Sequence, residues 1–240
     1  MPLPNDARLH ALIPAAGSGE RMGGSLPKQY LTLAGSTVAE QTLSRLLSFA
    51  PLSQFVVVTA EADLWWPQLD IAHDQRILSV VGGATRAQSV LNGLAALKAS
   101  LKESATEQDW VLVHDMARPC VRLTDIEKLI AECGPEGAIL AAPITDTVKR
   151  AVNERILATV PRQQLWRALT PQLFPLKALH DALQSALAAE ADITDEASAM
   201  ERVGLQPKLV LGHTDNIKIT LSTDLPLAAF YLQQQQREAH

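Results

Sequence analysis

Small residues followed by two cations carry the first chemistry in this chain. In "ALIPAAGSGERMGGSLPKQY", residues 11–30, the run Ala15, Ala16, Gly17, Ser18, Gly19 precedes Arg21 and Lys28. Glycines at 17 and 19 let backbone N–H groups turn toward an anion, for which phosphate is the natural guest. A Walker A loop is excluded, because Gly24 stands five residues beyond Gly19 and is followed by Ser25 rather than lysine. The dinucleotide-binding fingerprint fails as well, since Met22 occupies the place of its third glycine. Pro27 and the neighbouring glycines break any helix here, so a long loop is expected to hold Arg21 and Lys28 near one anion. Two cations beside such a loop suit a triphosphate, whose charge must be neutralised for displacement at phosphorus. Solvated cations on an ordinary turn are the competing account, and the glycines weigh against it.

Other candidates are weaker singly. In "WVLVHDMARPC" a strand is expected to end at Asp115, followed by Arg118 and the chain-redirecting Pro119. One carboxylate at a strand tip beside a phosphate loop can hold magnesium, which keeps several waters, although a cap on the next turn explains it nearly as well. His114 points to the opposite strand face and reads as structural. Gly82 and Gly83 precede a helix opening at Arg86, a positive dipole end or a plain strand-to-helix turn. Arg162 in "TVPRQQLW" and Lys218 in "TDNIKIT", a short alternating strand by its pattern, read singly as surface cations. In "DITDEASAM", Thr194 or Asp195 is sufficiently explained as a helix N-cap.

The elements that must position these residues follow from the apolar pattern. The 240 residues are 47% hydrophobic and 20% charged, a composition suited to a globular helix-plus-sheet enzyme. A net charge of -5 argues against a nonspecific nucleic-acid binder, and no apolar run is long enough for a membrane span. A cytoplasmic location is the default expectation. Cys120 and Cys133 are the only cysteines, without zinc-ligand spacing, and are expected to be buried thiols. Buried strands are expected at 9–15, 54–60, 76–81, 110–115, 137–143 and 208–212. Helical periodicity covers 38–50, 86–100 and 124–133, the last with Thr124 and Glu127 as a capping box, then 175–189, 195–203 and 223–236. Strands alternating with helices predict one α/β unit over 1–240 with a mostly parallel sheet covered on both faces. Residues 144–165 break the pattern and are expected to form an extended hairpin turning at "VNER", an arm in need of a partner surface.

Taken together, "PAAGSGERM", "PKQY", "GGATRAQSV", "VLVHDMARPC", "ILAAPITDTVKR", "LTPQLFP", "ITDEASAME" and "DNIKIT", in this order, resemble the 2-C-methyl-D-erythritol 4-phosphate cytidylyltransferase family. The resemblance implies a Rossmann-like α/β fold whose β-arm clasps a second subunit, hence a homodimer. It implies transfer of a cytidylyl group from CTP to 2-C-methyl-D-erythritol 4-phosphate with release of pyrophosphate. On it, Arg21 and Lys28 stabilise the transition state. Ala15, Ala16, Gly17, Ser18, Gly19, Lys28, Gly83, Ala84, Ser89 and Asp115 meet the nucleotide, and Asp115 approaches Mg²⁺. Asp115, Arg118, Thr147, Arg162, Thr170 and Lys218 meet the acceptor, Arg162 and Lys218 positioning it, with Thr147 and Arg162 reaching from the partner's arm. Two positions depart from the family pattern: Met116 stands where alanine is usual, and Gln88 where aspartate is common. Rival readings are a cytidylyltransferase for another polyol phosphate such as ribitol 5-phosphate, an inactive nucleotide-binding regulator and, more distantly, a nicotinamide dehydrogenase.

Overall fold

Strand-period alternation gives a sheet with two apolar faces. The computed structural model describes residues 3–4, 6–17, 26–101 and 108–238. In chain order its elements are β1 (Arg8–Pro14), β2 (Thr32–Leu33), β3 (Ser36–Thr37), α1 (Val38–Leu47), β4 (Leu52–Thr59), β5 (Ile77–Val81), α2 (Arg86–Leu101), β6 (Asp109–Val113), α3 (Leu123–Glu132), β7 (Ala138–Pro143), β8 (Val148–Val152), β9 (Arg155–Val160), β10 (Trp166–Pro175), α4 (Leu176–Ala188), α5 (Glu196–Arg202), β11 (Lys208–Leu211) and α6 (Asp224–Glu238). Seven strands make the central sheet in the order β11-β7-β10-β6-β1-β4-β5. Among its neighbour pairs only those of β10, with β6 and with β7, are antiparallel.

Along β1, Ala11 and Ile13 face one side and Leu12 the other. On the first side α1 packs Ala39, Leu43 and Leu46, and α3 packs Ile126 and Leu129. On the second, Val90, Leu94 and Leu97 of α2, Leu179 and Leu183 of α4 and Met200 of α5 cover Val56, Val58, Val111 and Val113. A third cluster ties α6, through Ala228 and Leu232, to Leu33, Val38, Cys120 and Ile219. The layers place the carboxyl ends of β1, β4, β5 and β6 on one edge, where ligands bind in open α/β sheets.

Three expectations need correction. β5 and β11 are the sheet's two edges and only partly buried, because each lacks a neighbour on one side. The α3 N-cap is Arg122, with no side-chain cap bond, and Thr124 lies inside the helix. Capping boxes stand instead at Thr37 with Glu40 and at Asp195 with Ser198. Residues 214–220 form no strand, since their polar groups meet loop partners: Ile219 N–H donates to Ala117 O at 2.8 Å, and Asn216 Nδ2 to Thr170 O at 2.7 Å. "LTPQLFP" lies in β10, which inserts between β6 and β7 and gives the sheet its antiparallel member.

Strands β8 and β9 form the expected arm as a separate two-stranded sheet. Its turn residues Asn153 and Glu154 have φ of 46° and 62°, the paired left-handed geometry that suits a two-residue hairpin turn. Both cysteines are buried and unpaired, and burial pushes each thiol up to about 12.

Candidate active site

Three loops at the carboxyl edge enclose a cleft. The first follows β1, where Ala15 N–H donates to Val58 O at 2.7 Å and Ala15 O accepts from Gln29 Nε2 at 2.9 Å. Gln29 and Lys28 lie in a short 3-10 turn, so the same turn that anchors the loop presents Lys28 to the cleft. Lys28 Nζ donates to Ile219 O at 3.0 Å, next to Lys218 in the chain. Arg21, Ser18 and Gly19 lie outside the described residues.

The second loop joins β5 to α2. Gly82 N–H donates to Thr59 O at 2.8 Å, and Ser89 Oγ accepts from Gly83 N–H at 3.1 Å while donating to Thr85 O at 2.9 Å. Ser89 thus shapes the loop from within. A Cβ on Gly82 would stand 2.7 Å from Ala16 Cβ and 2.8 Å from Ser89 Oγ, so glycine lets the two anion-facing loops meet. Gln88 spends its amide on Asn92, along the helix. Met116, 3% exposed, lines the cleft floor.

Asp115, at the end of β6, is 6% exposed and sits where the cleft meets a second chamber. Oδ1 accepts from Arg86 Nη2 at 3.1 Å; Oδ2 lies 2.8 Å from Lys218 Nζ and 3.6 Å from Arg118 Nε. Burial opposes its ionisation, but Arg86, Lys218 and Arg118 outweigh that and hold the carboxyl well below the usual range. The second chamber adds Arg118, Thr170, Gln172 and Asp195. Thr170 Oγ1 accepts from Asp115 N–H at 3.1 Å and lies 3.1 Å from His114 Nδ1. His114 is fully buried, as the strand alternation implies, and burial lowers it to about 4.

The fold therefore brings together Ala15, Ala16, Gly17, Lys28, Gly83, Ala84, Ser89, Asp115, Arg118, Thr170 and Lys218. Thr147 and Arg162 sit exposed on the arm and line neither chamber. Sequence reasoning missed Arg86, which lines both chambers and forms a bidentate pair with Glu196 at 2.7 and 3.1 Å. Glu196 is 1% exposed. Its signal was the acidic "TDE" beside the α5 cap, which capping explained for Asp195 alone.

Among the described residues no group of three or more His, Cys, Asp or Glu could hold a metal ion. Among the described residues Asp115 is the sole carboxylate lining the first cleft. Magnesium that draws its other ligands from water and phosphates needs only one or two carboxylates, and a single carboxylate such as Asp115 is within that requirement. No described helix is long and apolar enough to cross a membrane.

The chain is similar to known proteins over nearly its whole length. Residues 9–234 match the family described as 2-C-methyl-D-erythritol 4-phosphate cytidylyltransferase. A relative of that name from Aliivibrio fischeri strain ES114 is 48% identical over 241 residues, covering 99% of each chain. One from Aeromonas hydrophila is 52% identical, covering 95% of this chain and 90% of its own. A crystal structure of 4-diphosphocytidyl-2C-methyl-D-erythritol synthase superposes with a TM-score of 0.80 at 38% identity, covering 94% and 98% of the two chains. The Francisella tularensis 2-C-methyl-D-erythritol 4-phosphate cytidylyltransferase gives 0.78 at 34% identity, covering 94% of this chain and 100% of its own.

Proposed function

The chain belongs to the 2-C-methyl-D-erythritol 4-phosphate cytidylyltransferase family, and we infer from that premise how its cleft performs the family's reaction. The protein is a CTP-dependent nucleotidyltransferase that transfers a cytidylyl group to 2-C-methyl-D-erythritol 4-phosphate and releases pyrophosphate. The observation that carries the assignment of roles is Asp115, placed between two chambers and holding three cations.

The triphosphate lies in the first cleft, between the Ala15–Gly17 and Gly83–Ala84 loops and at the amino end of α2. Lys28, with Arg21 from outside the described residues, offsets charge growing on the α-phosphate and departing pyrophosphate. The acceptor lies in the second chamber with Arg118, Thr170 and Lys218. Its phosphate monoester has a second pKa near ~6 and is largely dianionic at neutral pH, so it attacks phosphorus without first losing a proton. That explains why buried, neutral His114 is not needed as a base. The chain's task is to orient and neutralise, with Lys218 positioning the nucleophile for in-line attack. Mg²⁺ held by Asp115 and the phosphates supplies further charge neutralisation. Thr147 and Arg162 complete the acceptor chamber from the partner's arm in a homodimer.

Pyrophosphate release, assayed with CTP, Mg²⁺ and 2-C-methyl-D-erythritol 4-phosphate, tests the reading. Release well above a blank without acceptor is expected; release equal to that blank refutes it.

A further inference from the structure

At the sheet edge opposite the cleft, the amino ends of β1, β4 and β6 gather Arg8, His10, Ser53 and Asp109. β1 and β4 pair in parallel through Leu9 with Leu52 and His10 with Gln54, which leaves Ser53 as the extra residue of a bulge. Bulges re-aim side chains, and this one turns an exposed serine hydroxyl back onto the sheet edge. Ser53 Oγ donates to Leu9 O at 2.9 Å and lies 3.1 Å from His10 Nδ1.

His10 is 2% exposed, and its Nε2 lies 3.0 Å from Asp109 Oδ1. Asp109, 1% exposed, also accepts from Arg8 Nη2 at 2.7 Å. A carboxylate can only accept, so Nε2 carries the hydrogen and the lone pair of Nδ1 competes with Leu9 O for the one proton of the Ser53 hydroxyl. Burial lowers the pKa of His10 against the opposing pull of Asp109, which keeps the imidazole neutral at neutral pH. Arg8, His10, Ser53 and Arg76 border one open cleft. An exposed nucleophile, a buried base beside it and a buried carboxylate behind the base are the three parts of an activated hydroxyl.

We propose that Ser53, with His10 as general base and Asp109 orienting it, accepts acyl groups from activated esters at a site separate from cytidylyl transfer. Ser53 Oγ bonds to the ester carbonyl carbon while its proton passes to His10 Nδ1. The ester C–O bond then breaks, and the leaving alcohol takes that proton. Arg8 and Arg76, each paired with an aspartate, border the same cleft.

The test exposes the intact protein to p-nitrophenyl acetate, follows p-nitrophenol release and maps acetyl groups by peptide mass spectrometry. Ser53 is expected to acetylate at least about a hundredfold faster than the exposed Ser48 and Ser222, the low end of general-base acceleration. Ser53→Ala removes the fast phase and leaves pyrophosphate release from CTP unchanged, whereas His10→Gln slows the fast phase by a similar factor. Because three serines are compared within one wild-type chain, the result stands even where His10→Gln fails to fold. Acetylation of Ser53 no faster than of Ser48 and Ser222, or an undiminished fast phase in folded His10→Gln, overturns the proposal.

Discussion

Lys28 is the described cation whose role is most open to a single substitution. It stands on the turn that anchors the β1 loop and reaches the carbonyl of Ile219, the residue after Lys218. Its removal takes charge from the reacting phosphates while Gln29 still holds the loop. Lys28→Ala is expected to lower kcat by at least about two orders of magnitude, the scale of losing one transition-state donor. Steady-state kinetics with CTP checks this, and near-normal turnover would remove Lys28 from the catalytic set. His114 makes a different statement, about stability. Its pKa falls from 6.5 to about 4 on folding, because burial disfavours the charged ring. The unfolded chain therefore binds the extra proton first as pH drops. The contribution is full above pH ~6.5 and is lost as pH falls toward ~4, about 2 kcal/mol of it between pH 7 and 5. Urea unfolding at the two pH values measures the loss, and His114→Gln should flatten that slope.

At the scale of elements, the cleft depends on two loops touching. Gly82 leaves room for Ala16 and Ser89, and a methyl group there must push one loop off the other. Gly82→Ala is expected to cost about 1–3 kcal/mol, the usual range for overpacking, and to raise the KM for CTP. Thermal unfolding and kinetics read the two effects, and an unchanged KM would separate loop contact from nucleotide binding. Such contacts explain what the sequence could and could not reveal. The order of strands and helices was legible because each apolar run matches one period, as Ala11, Leu12 and Ile13 do across β1. β10 was not, since "LTPQLFP" carries two prolines, and its pairing with β6 and β7 is set by partners distant in the chain. Likewise "DNIKIT" alternates like a strand, yet Arg118 and Thr170 take its carbonyl and amide groups. Asp115, Lys28 and Lys218 could be named from motifs; Arg86 could not, because its partners Asp115 and Glu196 lie 29 and 110 residues away.

The whole molecule raises the question of what the arm is for. β8 and β9 expose Val152, Ile156 and Leu157 at 58%, 68% and 66%, an apolar surface that an isolated hairpin cannot bury. Thr147 and Arg162 share that arm and line neither chamber. If two copies exchange arms about a two-fold axis, each acceptor chamber is completed by the partner's Thr147 and Arg162. Complementation tests this without a structure of the dimer. Lys28→Ala and Arg162→Ala proteins should each be nearly inactive alone. After unfolding and refolding together in equal amounts, half the dimers are hybrids. One of the two sites in each hybrid then combines an intact Lys28 with an intact partner Arg162. About a quarter of wild-type activity should return, as the symmetry of a C2 dimer requires. Sites built within single protomers would restore none, because every site would still carry one substitution.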